Sequence, residues 1–417
     1  MHDDDSPTRI VLTGSSAITA AGIGLDPLIE SIRTGHRHLS RRDGHLLTQI
    51  ENFQPKQYVR PRKALKVMCR EIQTAFAASM LAAEHAGLVD DQNQLSPGVD
   101  VHRLATVFGS EMLYHPADLA EAMRVAIAGH VADPSVDPAD TVAFGRDGMR
   151  HITPLWLLKH LPNMAACHVG ISLGALGPNN TLVTGDVSGV DALAESVSCL
   201  RRGVADTAVV SASGTRINET RFTYRCDAPP PIDDRPDGKI GLPADPTSTG
   251  VILGEAAASV IVETAASAAA RRAAPIATVD AIAQRFVPSA ALSLAHRTAS
   301  LTTDHPRSNR QSIAAAIQSA LCAAGHPNID LVVGHCSGDP IADAEELAAI
   351  AEINELTNAR TVHPITAIGH TGAASGLLSV TVAAALLDNT TRRTLAICHT
   401  PEGSATAVVL SKVPPPT

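Results

Sequence analysis

Aromatic residues are scarce: Phe, Tyr and Trp together make up 2% of the 417 positions, which leaves almost no stacking surface for nucleobases. Basic excess is missing as well. The 33 Lys and Arg stand against 42 Asp and Glu for a net charge of −9, the wrong sign for gripping a phosphate backbone. Nucleic acid is therefore not an expected partner. No apolar run is long enough to cross a bilayer, so no membrane association is expected. The seven cysteines (Cys69, Cys167, Cys199, Cys226, Cys322, Cys336 and Cys398) form no CxxC pair and show no regular spacing. Neither a disulfide framework nor a zinc site is indicated, and no metal is expected. The opening Met1-His-Asp-Asp-Asp-Ser-Pro is acidic where an export or transit signal is basic and then apolar, so the expected location is the reducing cytoplasm.

What is present is the material for a large core: 45% of residues are hydrophobic and 18% charged, enough for two or more packed units at roughly 100–200 residues each. The order of elements reads as α/β. An apolar strand from Arg9 runs into a Gly/Ser/Ala-rich turn and then an amphipathic helix over 25–32. A helix is expected over 64–86, ending at Gly87, and a buried strand over 104–109. A short β run over 181–184 leads through Gly185-Asp-Val-Ser-Gly into a helix marked by Val190, Leu193, Val197 and Leu200. Strands over 207–212 and 251–262 flank a Pro/Asp-rich loop at 226–246. After an alanine-rich stretch at 265–277 the same grammar returns, with helices over 312–324, 343–353 and from 368 to 387, and strands over 329–333, 395–398 and 405–410. Two halves with similar order imply an internal duplication, divided as 1–263 and 264–417.

Three segments place a polar group directly after a strand or at a helix start, where function gathers on α/β sheets. They are Thr184-Gly-Asp-Val-Ser-Gly, Val333-Gly-His-Cys-Ser-Gly-Asp-Pro and Ala367-Ile-Gly-His-Thr-Gly-Ala-Ala. Unpaired N–H groups at such a helix start can hold an anion or a developing oxyanion. Asp186 there is, at the least, a good N-cap residue with a favourable dipole interaction. Ser188 is not read as a hydrolase nucleophile, because the glycine that a nucleophile elbow needs two residues earlier is Asp186. His115, His160 and His168 are read as structural.

Together with Leu158-Lys-His-Leu-Pro-Asn-Met-Ala-Ala-Cys-His-Val-Gly-Ile, Gly177-Pro-Asn-Asn-Thr, Asp237-Gly and Gly254-Glu-Ala-Ala, these segments stand in the right order over about 9–410. The chain thereby resembles the β-ketoacyl-acyl carrier protein synthases, the condensing enzymes of fatty acid and polyketide synthesis. The resemblance implies a thiolase-type fold, two duplicated halves in a layered αβαβα arrangement, and a large two-fold interface. It also implies that Asp186 stands where the family has the cysteine of a Thr-Ala-Cys-x-Ser-Gly turn. That cysteine acts as a thiolate taking an acyl group from a phosphopantetheine thioester; a carboxylate would instead form a mixed anhydride that water destroys. His335 and His370 match the two histidines that hold and polarise a malonyl thioester. The family's lysine is replaced by Ile365, which leaves Asp343 and Glu346 with no evident partner, and the Phe-Gly-Gly gate reads Thr400-Pro-Glu-Gly-Ser.

The resemblance therefore points to a subunit of the chain-length-factor kind, partnering an active ketosynthase as a heterodimer, or itself as a homodimer, and shaping the acyl chain. The alternative is a stand-alone enzyme using Asp186, His335 and His370 on carrier-bound thioesters for decarboxylation, acyl transfer or hydrolysis; a third reading is condensation by a displaced cysteine. Expected pocket residues are Ser188, Ser337, Thr371, Met112 and Met164. A basic cluster, Arg60, Arg62, Lys63 and Lys66, is the expected docking point for an acidic acyl carrier protein. No cofactor is implied beyond the carrier's own phosphopantetheine. The strand at 181–184 is expected at a sheet edge, paired with its copy across the two-fold axis.

Overall fold

A strand buried on both faces has no polar side to show, so it is written in small and β-branched residues throughout rather than in alternation. In the computed structural model of this chain, β1 (Ile10–Thr19) is buried at all ten positions. The structure describes residues 8–413 apart from 43–44, 91, 112–118, 136–139, 219–239, 249 and 289–308. After β1 come the short β2 (Gly22–Ile23), β3 (Ser40–Arg42) and β4 (His45–Leu47), then β5 (Leu104–Gly109), β6 (Asn179–Leu182), β7 (Thr207–Thr215) and β8 (Glu255–Thr264). The second half supplies β9 (Ala277–Phe286), β10 (Leu331–Val333), β11 (Arg360–Val362), β12 (Arg393–His399) and β13 (Ser404–Ser411).

The sheet order is β11-β10-β12-β13-β9-β1-β8-β7-β5-β6, with β2 paired to β1. β5 runs parallel to both β6 and β7, and the joins from β7 through β8 to β1 are antiparallel. The second half repeats this: β10 is parallel to β11 and β12, and β12, β13 and β9 join antiparallel. Taken in chain order, the five main strands of each half thus follow the same spatial order, third-second-fourth-fifth-first. The halves meet where β1 pairs with β9 through Ile10↔Val279, Val11↔Thr278 and Leu12↔Ala277.

Helices form the layers. Arg70–His85 and Met164–Leu173 cover the outer face of the first half, and Asn309–Ala323 with Pro340–Ala351 cover that of the second. Between the halves lie Ser188–Arg201 and Ser375–Ala385, whose apolar residues join strands of both halves in the central core. This is the αβαβα arrangement of a thiolase-type fold. The two central helices begin alike. Thr184-Gly-Asp-Val-Ser-Gly and Thr371-Gly-Ala-Ala-Ser-Gly each pass through one short 3-10 turn, Gly185–Val187 and Gly372–Ala374, into the helix. The duplication is therefore visible at the level of residues, with Ala373 as the counterpart of Asp186.

Two expected helices are interrupted. Over 64–86 the chain forms a 3-10 segment, Arg62–Val67, then turns extended at Met68 and Cys69 before the helix Arg70–His85. That break lets Met68 and Cys69 bury. The helix expected from 368 is split because Gly369 takes φ 66° and ψ −180°, a conformation that ends the turn Ile365–Ile368. The loop at 226–246 falls largely outside the described residues, as do Asp237 and His115. The edge strand expected over 181–184 lies two residues earlier, as β6 at Asn179–Leu182, with Asn179 and Asn180 exposed; β11 forms the sheet's other edge. Among the described residues no helix is long and apolar enough to cross a membrane.

Candidate active site

The parallel strands deliver their C-terminal ends to one place. β5 is followed by Glu111, β6 by the Asp186 turn, β7 by Arg216 and β10 by His335, while β12 ends at Cys398 and His399. Gly109, at the end of β5, has no room for a side chain: a Cβ there would lie 2.4 Å from the backbone nitrogen of Gly189. That close approach seats the start of the helix Ser188–Arg201 directly on the sheet.

Asp186 is buried and sits at the centre. Its Oδ1 accepts a hydrogen bond from the Arg216 guanidinium, itself buried. Its Oδ2 lies 3.1 Å from Nε2 of His370 and 3.6 Å from Nε2 of His335. Burial alone would raise the Asp186 carboxyl, but Arg216, His370 and His335 outweigh it and hold the group well below the usual carboxylate range. His335 is pushed the other way. Burial lowers it despite its bond to Asp186, so its ring is held toward the neutral form. The expected trio is therefore brought together, in contact and around a fixed anion.

The ligand atoms of Asp186, His335 and His370 lie within 4.8 Å of one another, a donor set that resembles a two-histidine, one-carboxylate metal centre. Here the Arg216 guanidinium already supplies the carboxylate's countercharge.

Cys398 stands against the turn in space although 212 residues away in sequence. Its Sγ donates to the Asp186 carbonyl at 3.3 Å and lies 3.6 Å from Nδ1 of His335. Burial, with the neighbouring Asp186, Asp191 and Glu346, pushes this thiol well up, which opposes thiolate formation.

Glu346 and Asp343 do have partners, contrary to the expectation drawn from Ile365. Glu346 accepts from the backbone N–H of His335 at 3.0 and 3.1 Å and meets His399 Nε2 at 2.9 Å. Burial would raise its carboxyl, but the His399 bond and the charges of His399, His363 and His335 bring it down to about 2. Asp343 accepts from the N–H groups of Ser337, Gly338 and Ala244 at 2.7, 2.9 and 3.0 Å. Asp343 thereby fastens the loop after β10, and Glu346 the backbone of His335.

The other expected pocket residues are placed differently. Ser188 is fully buried, donating to the Gly185 carbonyl at 2.6 Å and accepting from the Thr184 N–H at 2.8 Å; its hydroxyl is committed to the turn. Thr371 is paired with Ser375 at 3.1 Å in the second copy of that turn. Ser337 is half-buried in the loop held by Asp343. Met164 packs on the outer-layer cluster beneath the helix Arg70–His85, away from the central core, and Met112 lies outside the described residues. Arg60, Arg62, Lys63 and Lys66 are all exposed, along and just before the segment Arg62–Val67.

Arg216, Cys398 and His399 were not singled out from sequence. The signal for Arg216 was available: it is a charged residue set immediately after β7, a strand buried at all nine of its positions.

The beta-ketoacyl synthase N-terminal domain matches residues 6–268 and the beta-ketoacyl synthase C-terminal domain matches 287–396. The chain belongs to the beta-ketoacyl synthase family. It is 25% identical over 411 residues to a 3-oxoacyl-[acyl-carrier-protein] synthase 2 of Mycobacterium leprae, covering 94% of this chain and 82% of the relative. It is 26% identical over 408 residues to the granaticin polyketide putative beta-ketoacyl synthase 1 of Streptomyces violaceoruber, covering 94% and 89%. The solved ishigamide ketosynthase/chain length factor superposes with a TM-score of 0.75 at 20% identity, over 98% of this chain and all of that one. A beta-ketoacyl synthase from Burkholderia phymatum gives 0.75 at 18% identity over the same shares. These structural likenesses speak for the ketosynthase fold.

Proposed function

We propose that this beta-ketoacyl synthase homologue is a non-condensing subunit that pairs with an active ketosynthase and shapes the acyl chain growing on it, in the manner of a chain-length factor. The observation that carries this reading is the buried Asp186–Arg216 ion pair with His370 on the second carboxylate oxygen. A condensing enzyme needs a nucleophile whose acyl product survives until the next substrate arrives. A carboxylate at that position, tied to a guanidinium, offers a weak nucleophile and a product open to hydrolysis. Ser188 and Cys398 do not replace it, the one bonded into the turn and the other held as a thiol. The setting that fits is fatty acid, type II polyketide or aryl-polyene biosynthesis, with growing chains carried on phosphopantetheine. Arg60, Arg62, Lys63 and Lys66 remain the proposed contact for an acidic acyl carrier protein.

The test has two arms. Intact-protein mass spectrometry after incubation with acyl- and malonyl-carrier protein should show no acyl adduct. Co-expression with a ketosynthase that keeps the Thr-Ala-Cys turn should give a co-purifying complex whose product length differs from that of the ketosynthase alone. A stable adduct on Asp186 or Ser188 would overturn the reading. A second reading, decarboxylation of malonyl-carrier protein, is favoured by His335 and His370 facing one another around the anion with ring centroids 5.6 Å apart. Acetyl-carrier protein formed by the isolated chain, and abolished by His335→Ala or His370→Ala, would select it.

A further inference from the structure

The helix Ser188–Arg201 carries the Asp186 turn at one end and Arg201 at the other, about 20 Å away at 1.5 Å per residue. At that far end, between the start of β1, the start of β9 and the loop leading into β12, lies a cleft of about 930 Å³. Among the described residues five cations line it, Arg9, Arg201, Arg392, Arg393 and Lys412, against one acid, Asp280. This local sign runs against a chain whose net charge is −9.

We infer that this cleft is a binding site for a small anion carrying clustered phosphates, of the pyrophosphate or polyphosphate-ester class, separate from the Asp186 site. Size and shape fit: small-molecule sites are concave and occupy roughly 300–1,000 Å³. Chemistry fits as well. Four of the five cations are arginines, whose planar fork of donors matches phosphate oxygens. Among the described residues the guanidinium groups of Arg201, Arg392 and Arg393 make no hydrogen bond or ion pair, so their donors are available. Arg9 is held by Thr278 at 3.1 Å, and Asp280 accepts from Ser411 at 2.9 Å, which fixes the floor of the cleft. Like charges gathered in a concavity repel one another, and an occupant of opposite charge relieves that repulsion. An acidic protein surface is the weaker fit, because a protein partner of standard size needs about 800 Å² of matching face, whereas these cations line a single half-open cleft.

The experiment is calorimetric titration of inorganic pyrophosphate into the full chain. Saturable binding is expected, weakened by added salt. Arg392→Glu with Arg393→Glu should weaken it by about tenfold or more, one decade corresponding to about 1.4 kcal/mol. Asp280→Asn should tighten it, a gain that loss of folding cannot mimic. Absence of saturation overturns the assignment, as does an affinity indifferent to all three substitutions. An acidic carrier protein that binds in an Arg392- and Arg393-dependent way while pyrophosphate does not would overturn it too.

Discussion

Asp186 and Arg216 are each buried, and neither is tolerable without the other. Removing one partner of a buried ion pair leaves an uncompensated charge and costs about 3–5 kcal/mol. Asp186→Ala and Arg216→Ala should therefore each lower stability to urea by an amount of that order, and the double substitution should cost less than the sum. A double-mutant cycle measures this directly; additive losses would show that the pair does not act as a unit. Glu346 sets a pH dependence. Its carboxyl is at about 2 in the folded chain against a usual 4.5, so the unfolded state binds the proton first. Its contribution is fully present above pH 4.5 and is lost as the pH falls toward 2. His335, lowered from its usual 6.5 by burial, works in the same direction, beginning to lose stability as the pH drops below that value. Denaturant midpoints followed from pH 7 to pH 3 should fall, and Glu346→Gln should flatten the lower part of that fall.

At the scale of elements, the sheet and the central helices were legible in the sequence because their signals are local. Strands such as β7 are continuous small and β-branched runs, and helices such as Ser188–Arg201 announce a period and a terminal glycine. Asp186, His335 and His370 were legible for the same reason, each standing where a strand or turn opens into a helix. The partners of these groups were not. Asp186 meets Arg216 across 30 residues and His370 across 184. Glu346 finds His399 across 53. No pattern within a helix or strand encodes such pairings; they exist only in the folded chain, and the Asp186–His370 contact only once both halves have folded. Met164 misled because its place in the chain, just before a motif, does not tell which layer its side chain enters. Two predictions belong here. Gly109→Ala drives a Cβ onto the Gly189 backbone and, as overpacking against atoms that cannot rotate away, should cost about 1–3 kcal/mol, seen as a lowered melting temperature. Gly24→Ala, where no heavy atom lies within 4 Å of the added Cβ, separates this steric effect from backbone strain, since Gly24 has φ 94° and Gly109 does not need a positive φ.

At the scale of the molecule, β6 is one of the two edges of the main sheet, the other being β11. β6 gives the Pro178 and Leu182 carbonyls to β5, so the backbone groups of Asn179 and Thr181 point outward. The Thr181 N–H is turned onto the Asn180 side chain at 2.8 Å, a local cap that a pairing strand would displace. Pairing of this strand with its equivalent in a second subunit would continue the sheet through a dimer. Thr181→Pro removes the outward N–H while leaving the β5–β6 ladder intact, and should shift the assembly toward monomer in sedimentation equilibrium at micromolar concentration. An unchanged association state would place the subunit contact elsewhere.

The paired turns at the starts of the two central helices supply their own control. One copy, around Ala373, shows what the framework alone demands: a threonine, a glycine, two small residues, then serine and glycine. The other copy meets the same demand and differs chiefly by one carboxylate. Everything that makes this position chemically distinctive is thus carried by a single side chain, and what depends on that side chain is its ion pair with Arg216 rather than the path of the turn. Such a turn lets reactivity be exchanged without rebuilding the scaffold, so long as a compensating group such as Arg216 changes with it.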